Sequence, residues 1–169
     1  MKRTGLLHLY YGDGKGKTTA AMGLALRAMG SGKRVVILQF LKGGKSGEVP
    51  LLEQLGAKVY RGKAGQKFVF QMNEAEKEAT RQLQNANLTA AMAAPADLLI
   101  LDEAGSAWEL DMVALHLGHI VRSVQHPLWR SMGSKHAFLL CRAFQHSLLQ
   151  QGFIHHIQRG ISARKGIEY

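Results

Sequence analysis

Apolar positions along the chain fall into two patterns: short continuous runs, and repeats with helical spacing. The continuous runs are bounded by glycine or acidic residues, as buried strands are. They predict strands over residues 6–10, 34–41, 57–60 and 98–101. Between these runs, apolar residues three or four positions apart predict helices. The alternation predicts an α/β fold, a mostly parallel sheet with helices on both faces.

The predicted helices have recognisable ends. The helix over residues 18–29 is followed closely by two glycines, which favour its termination. A shorter helix is predicted over residues 49–55. Asn73 and Glu76 have the spacing of a capping pair, and they precede a long alanine-rich helix that runs to Ala94.

The 169 residues, 46% hydrophobic and 20% charged, are typical of one globular domain, which we expect to span residues 1–169. No apolar run is long enough to cross a bilayer, and the N-terminus lacks an apolar signal core with a cleavage site. We therefore expect a cytoplasmic protein without a membrane partner. The single cysteine, Cys141, cannot form an internal disulfide, which suits a reducing compartment.

The formal net charge of +10 suggests a polyanionic partner, but the origin of the charge changes that interpretation. Residues 112–167 contain no Asp or Glu, and seven of the eight histidines lie there. The charge thus comes largely from missing acids and not from a cluster of Lys and Arg. A nucleic-acid-binding module would need basic residues with interleaved aromatics on one face. We therefore do not expect nucleic acid as a partner.

The turn after the first predicted strand has the composition of a phosphate-binding loop. Its residues are Gly12, Asp13, Gly14, Lys15, Gly16, Lys17, Thr18 and Thr19. The glycines let backbone N–H groups face phosphate oxygens, and the following helix adds the partial positive charge of its N-terminus. Lys17 would neutralise phosphate charge, and the Thr18 hydroxyl would ligate Mg²⁺. We therefore predict a P-loop NTPase-like fold that binds ATP at this loop.

The glycine spacing of this loop is one residue shorter than the P-loop template. The template has a glycine five residues before Gly16, where this chain has Tyr11, and the first glycine is Gly12. The alternative interpretation is a glycine-rich turn with a surface lysine. The strand before the loop and the helix after it favour the phosphate site.

Asp102 and Glu103 directly follow the apolar run at 98–101. In P-loop proteins a carboxylate at this place binds the metal, directly or through water. We therefore predict a metal site formed by Thr18, Asp102 and Glu103. The alternative is an ordinary acidic pair at a strand end, which the phosphate loop in the same chain disfavours.

Three groups of segments together resemble the P-loop-type ATP:corrinoid adenosyltransferases, which act on cob(I)yrinic acid a,c-diamide or cob(I)alamin. The segments are GDGKGKTT at 12–19 with QFLKG at 39–43, RGKAGQKFVFQ at 61–71, and LILDEA at 99–104 with RGISARKGIEY at 159–169. The resemblance covers residues 5–112 and the last dozen residues, and it includes the shortened glycine spacing. The combination is specific, although no single segment is.

The resemblance implies transfer of the 5′-deoxyadenosyl group of ATP to the Co(I) of a reduced corrinoid, with release of triphosphate, in adenosylcobalamin biosynthesis or salvage. It also implies Mg²⁺ or Mn²⁺, a flavoprotein-type reductant, a homodimer, and an ATP that lies reversed relative to most P-loop proteins. This chemistry needs a firmly held triphosphate leaving group and a positioned C5′. Because cobalt is the nucleophile, no protein nucleophile is needed.

Phe68 and Phe70 match the aromatic pair that in this family packs on the corrinoid and keeps the lower axial ligand away from cobalt. Loss of that ligand makes reduction to Co(I) easier. The resemblance thus gives Lys17, Phe68 and Phe70 the catalytic roles. The alternative for the two phenylalanines is a strand with two core aromatics, since residues i and i+2 share a face.

Residues 113–156 depart from the family pattern, which continues with a strand ending in Thr-Gly-Arg, an acidic helix and a Lys-His-Pro-Phe turn. Our hypothesis is that this stretch is read in a shifted frame, so that the fold loses a core strand and exposes a sheet edge. One alternative is a His-rich insert that binds metal through His116, His119, His155 and His156. The other is a basic, amphipathic helical hairpin on the surface.

Two further functions stay open at this point. One is another P-loop ATPase or kinase, against which the short glycine spacing and the segment around Phe68 and Phe70 argue. The other is a remnant of the family that binds ATP but does not transfer the adenosyl group, which the departing stretch would explain.

Overall fold

Ten elements follow one another in the computed structural model, which describes residues 7–11, 15–63, 65–114 and 137–142. The strands are β1 (Leu7–Tyr11), β2 (Val35–Gln39), β3 (Lys58–Arg61), β4 (Leu98–Asp102) and β5 (Ala137–Arg142). The helices are α1 (Lys17–Gly30), α2 (Glu48–Gln54), α3 (Glu74–Ala93) and α4 (Ala104–Glu109), with a 3₁₀ turn at Val69–Gln71.

Every described strand pair is parallel, and the order across the sheet is β1-β5-β4-β2-β3. The register brings the carboxyl ends of the strands to one edge. Gln39 of β2 lies opposite both Asp102 of β4 and Arg61 of β3, and Asp102 also lies opposite Cys141 of β5. Open parallel sheets bind ligands beyond this edge, so a site is expected there.

Helices cover both faces of the sheet, because alternate residues of each strand face opposite layers. Val35 and Ile37 of β2 belong to the core formed with α1 and α2. Val36 and Leu38 belong to the core formed with α3 and α4. β2 and β4 are buried along their whole length, which explains their continuous apolar sequences. The predicted α/β fold is confirmed.

The predicted strands and helices are all present, with ends that differ by one or two residues. The predicted capping pair also forms at the start of α3. Asn73 Oδ1 accepts a hydrogen bond from the Glu76 N–H at 2.9 Å, and Glu76 Oε2 accepts one from the Asn73 N–H at 2.9 Å. No helix in the described part of the chain is long and apolar enough to cross a membrane.

The expectation that residues 113–156 remove a core strand is wrong. β5 lies within this stretch, and it pairs in parallel with β1 on one side and β4 on the other. The stretch contains a local apolar run, Ala-Phe-Leu-Leu-Cys at 137–141, of the kind that predicts a strand. The suggested histidine ligands and most of the suggested hairpin lie outside the described residues. The shifted frame stays a prediction, which resequencing of the gene tests.

Candidate active site

The start of α1 lies at the carboxyl edge of the sheet, where the predicted phosphate loop ends. Gly16 precedes the helix with a φ of 104°, a left-handed conformation that favours glycine. The first turn of α1 has neither an acidic residue nor a side-chain cap, so its N–H groups suit an anion. The structure describes the loop residues Lys15, Gly16, Lys17, Thr18 and Thr19, whereas Gly12, Asp13 and Gly14 lie outside the described residues.

Asp102 is the buried centre of the site. It lies at the end of β4 and is 0% exposed. The Thr18 hydroxyl donates to its carboxylate, with Oγ1 3.0 Å from Oδ1 and 3.2 Å from Oδ2. Gln39 Nε2 donates to Oδ2 at 3.1 Å. A buried carboxylate needs such partners, because an uncompensated charge inside a protein is strongly destabilising.

Lys42 supplies the opposite charge. Its Nζ lies 2.7 Å from Asp102 Oδ2 and 3.9 Å from Glu103 Oε1, and it donates to Thr18 Oγ1 at 3.0 Å. The predicted site did not include Lys42 or Gln39, although both belong to the QFLKG segment. Their position depends on β2 lying beside β4, and the pattern of one sequence does not specify the order of strands.

Glu103 lies at the rim of the site. Its φ of 61° is uncommon for a residue other than glycine, and such strained residues are enriched at functional sites. Its Oε2 accepts a hydrogen bond from Ser106 Oγ at 3.1 Å. The structure therefore brings Thr18 and Asp102 into direct contact and places Glu103 next to them, within reach of Lys42.

The oxygen donors at this point have the chemistry of a magnesium site. Mg²⁺ in nucleotide enzymes is usually bound by one or two carboxylates together with substrate phosphates and water. Gln39 Oε1 adds a buried oxygen that has no hydrogen-bond partner among the described residues. The described residues contain no group of three or more His, Cys, Asp or Glu that could hold a metal. Thr18, Asp102 and Glu103 are the oxygen donors that could hold such a cation.

Phe68 and Phe70 lie on the surface after β3. They are 65% and 80% exposed, and their rings stack with centroids 5.6 Å apart and an interplanar angle of 6°. The interpretation of two core aromatics on a strand is therefore wrong, since the chain forms a 3₁₀ turn at Val69–Gln71. Lys63 Nζ lies 5.1 Å from the centroid of the Phe68 ring, a cation–π contact.

A pocket of about 250 Å³ opens beside Lys42, between the loops that follow β2 and β3. We call it the basic pocket. It is lined by Gln39, Leu41, Lys42, Gly43, Gly44, Lys45, Ser46, Glu48, Arg61 and Lys63.

The structure thus has the features of a P-loop NTPase-like fold: a Lys-Thr pair opens α1 after a glycine, and the buried aspartate that ends β4 is bonded to that threonine. Comparison with known proteins gives the family. A family model described as ATP:corrinoid adenosyltransferase BtuR/CobO/CobP matches residues 3–169. The chain therefore belongs to the ATP:corrinoid adenosyltransferase family, as its motifs predict.

Individual relatives agree with this assignment. The chain is 37% identical over 100 residues to a corrinoid adenosyltransferase of Escherichia coli, and the match covers 59% of the chain and 51% of the relative. The same values hold for the corrinoid adenosyltransferase CobA of Salmonella typhimurium. Identity to a corrinoid adenosyltransferase of Pseudomonas aeruginosa is 27% over 175 residues, 98% of the chain and 84% of the relative. The chain thus spans about half the length of the two enterobacterial relatives.

Proposed function

We propose that this chain transfers the 5′-deoxyadenosyl group of ATP to the Co(I) of a reduced corrinoid. A bond forms between cobalt and C5′, the C5′–O bond breaks, and triphosphate leaves with the electron pair of that bond. Cobalt is formally oxidised from Co(I) to Co(III). The observation that carries the proposal is the contact between buried Asp102 and Thr18 at the start of α1, in a chain of this family.

The start of α1 suits the triphosphate. Its first-turn N–H groups and the Lys17 ammonium would offset the negative charge that develops on the leaving group. Because these donors are fixed before the reaction, they need little reorganisation in the transition state. The proposed phosphate contacts extend to Gly12, Asp13 and Gly14 by the motif alone.

We further propose that Thr18, Asp102 and Glu103 hold Mg²⁺ or Mn²⁺. The bound cation would neutralise charge on the departing triphosphate. The oxygen donors support this assignment, and so does Lys42, whose ammonium contacts oxygens of all three residues. A positive charge is thus already accommodated at this point.

The stacked pair Phe68 and Phe70 is the proposed corrinoid contact. Large aromatic side chains exposed together are uncommon on a protein surface unless they meet a ligand or a partner. Packed against the corrinoid, they would exclude the lower axial ligand and make Co(I) easier to reach. A flavoprotein-type donor would supply the electron, and we propose a homodimer as the working unit.

The test supplies ATP, Mg²⁺ and a chemically reduced corrinoid, and measures a light-sensitive Co–C product together with intact triphosphate. We expect the two products in equal amounts. Release of inorganic phosphate without a Co–C product would indicate a P-loop ATPase or kinase. A folded sample that binds ATP and gives neither product would contradict the proposal and indicate an inactive remnant of the family.

The phosphate site is tested by Lys17→Ala. We expect this variant to lose detectable ATP binding in titration calorimetry, because it removes the lysine of the P-loop. Lys33→Ala, which removes a lysine three residues after the other end of α1, is the matched control and should bind ATP as the unmodified chain does. Equal ATP affinity in the two variants would contradict the assignment.

A further inference from the structure

The basic pocket has a strong excess of positive charge. Lys42, Lys45, Arg61 and Lys63 line it, and Glu48 is the one carboxylate among its described lining residues. The pKa of Glu48 is lowered, first by hydrogen bonds from its own backbone N–H and the Ser46 hydroxyl, and then by the charges of Lys42 and Arg61. The pocket thus favours the ionised form of Glu48, and its remaining positive charge suits another anion.

The backbone holds these side chains in place. The Gly62 N–H donates to the Lys42 carbonyl oxygen at 2.9 Å, which ties the loop after β3 to the loop after β2. Arg61 Nη2 donates to the Gly44 carbonyl oxygen at 2.9 Å and adds a second tie. The pocket is therefore formed by two loops that these hydrogen bonds hold together at the carboxyl edge of the sheet.

One buried donor on a lining residue points to an anion. Arg61 Nε is buried and has no hydrogen-bond partner among the described residues. Buried donors and acceptors are paired in nearly all proteins, because an unpaired one is destabilising. A guanidinium N–H without a partner, on a residue that lines a cationic pocket, is paired best by an anion.

The pocket adjoins the aromatic pair. Lys63 lines the pocket and also lies over the Phe68 ring. A corrinoid packed on Phe68 and Phe70 would therefore bring its periphery to the pocket. Corrinoid rings carry short acid side chains around their edge, as free carboxylates or as amides.

We propose that the basic pocket binds a peripheral carboxylate of the corrinoid, so that this chain favours corrinoids with free acid side chains over fully amidated ones. The inference rests on the proposed function, since it takes the corrinoid to be the molecule that contacts Phe68. The other source of an anion at this place is the triphosphate of ATP, and the experiment separates the two.

Lys45 is the residue of choice for the test, because its exposed side chain lines the pocket and its removal leaves the contacts of Asp102 and Gly44 intact. Binding of cobyrinic acid and of the amidated corrinoid cobinamide is measured by equilibrium dialysis without ATP. The unmodified chain should bind the acid form more tightly. Lys45→Gln should weaken acid binding about threefold and Lys45→Glu about tenfold, with the amidated form unaffected.

Lys77→Gln is the control, because Lys77 lies on α3 and pairs with Glu74 outside the pocket. It should leave both affinities unchanged. Arg61→Gln should show the same selective loss as the Lys45 variants, with thermal unfolding confirming that the variant folds. Agreement between positions 45 and 61 would exclude an effect confined to one side chain.

Three results would overturn the inference: equal affinity of the unmodified chain for the two corrinoids, Lys45 variants that bind both as before, or loss of tripolyphosphate binding with corrinoid binding unchanged. The last result would assign the pocket to ATP. Selective acid binding without any adenosyl transfer would contradict the proposed function alone. Adenosyl transfer without this selectivity would contradict the pocket alone.

Discussion

Among single residues, Lys42 occupies the place where the divalent cation is proposed to bind. Its ammonium lies 2.7 Å from Asp102 and 3.0 Å from Thr18, the same side chains that are proposed to hold a divalent cation. A metal can bind these oxygens only if Lys42 moves away. Lys42→Met should therefore destabilise the metal-free chain by about 1–3 kcal/mol, because it leaves the Asp102 charge poorly compensated.

Mg²⁺ should restore much of that loss, so its stabilising effect on thermal unfolding should be larger in Lys42→Met than in the unmodified chain. Lys45→Met removes a lysine three positions along the same loop and should change neither quantity. An equal response to Mg²⁺ in both variants would show that Lys42 and the metal do not compete.

The substitution Phe70→Ala separates the proposed corrinoid contact of this side chain from any contribution to the stability of the fold. It is 80% exposed, so Phe70→Ala should change the free energy of unfolding by less than about 0.5 kcal/mol. Adenosyl transfer should slow and ATP affinity should stay the same. Leu55→Ala, at another exposed apolar position (59% exposed), is the control and should leave transfer unchanged. A Phe70→Ala variant that unfolds would give the aromatic pair a structural role.

The sequence identified some of these residues and not others, for physical reasons. Thr18 and Asp102 are recognisable because a motif fixes each of them relative to its own strand or helix. Lys42 and Gln39 lie at the site because β2 is the neighbour of β4, and a local motif does not specify which strands are neighbours. The sequence does not specify whether Phe68 and Phe70 are exposed. Residues two apart share a face on a strand, but they need not do so in a turn.

Among the elements, β2 and β4 are joined at their amino ends by Arg34 and Asp97. Asp97 Oδ2 accepts hydrogen bonds from the backbone N–H and from Nε of Arg34, both at 3.0 Å. The Asp97 N–H donates to the Arg34 carbonyl oxygen at 2.8 Å. The side-chain bond from Arg34 is the main reason that the pKa of Asp97 lies below its ordinary value of 3.8.

A lowered carboxyl pKa stabilises the folded chain above the unfolded pKa, and the contribution is lost as the pH falls through the folded pKa. Asp97→Asn should therefore reduce the free energy of unfolding by about 0.5–1 kcal/mol at neutral pH, since the Arg34 side chain of the pair is 63% exposed and solvent screens the interaction. In urea titrations the difference should shrink as the pH falls below about 4. Glu53→Gln removes an exposed charge on α2 as a control. A difference that persists at low pH would rule out this linkage.

The existence of the elements was predictable, and their arrangement was not. Buried strands such as β2 and β4 are continuous apolar runs, and α3 has its own capping pair, so local sequence identifies them. The position of β5 between β1 and β4 depends on contacts between distant segments. Its apolar run is present in the sequence, but a short apolar run does not by itself specify which strands lie on either side of it.

For the whole molecule, the pairing of β5 shows whether residues 112–167, which contain no Asp or Glu, contribute to the fold. Leu139 of β5 lies opposite His8 of β1 and Ile100 of β4, so both edges of β5 are paired. Leu139→Pro removes a backbone donor from a central strand, and such a change costs about 3 kcal/mol or more. Because the proposed phosphate loop follows β1 and Asp102 ends β4, the loss of β5 would also separate the two halves of the proposed active site.

We expect Leu139→Pro to abolish the cooperative thermal transition in circular dichroism and to eliminate ATP binding. Leu139→Val keeps an apolar residue at the same place and introduces a β-branched one, which suits a strand, so it should retain both at a small cost in stability. If the proline variant unfolds at the same temperature as the unmodified chain, β5 is not an interior strand. The sheet would then lack the strand that joins the phosphate loop to Asp102. If it unfolds as expected, residues 137–142 are needed for the protein to fold, whatever the origin of the sequence around them.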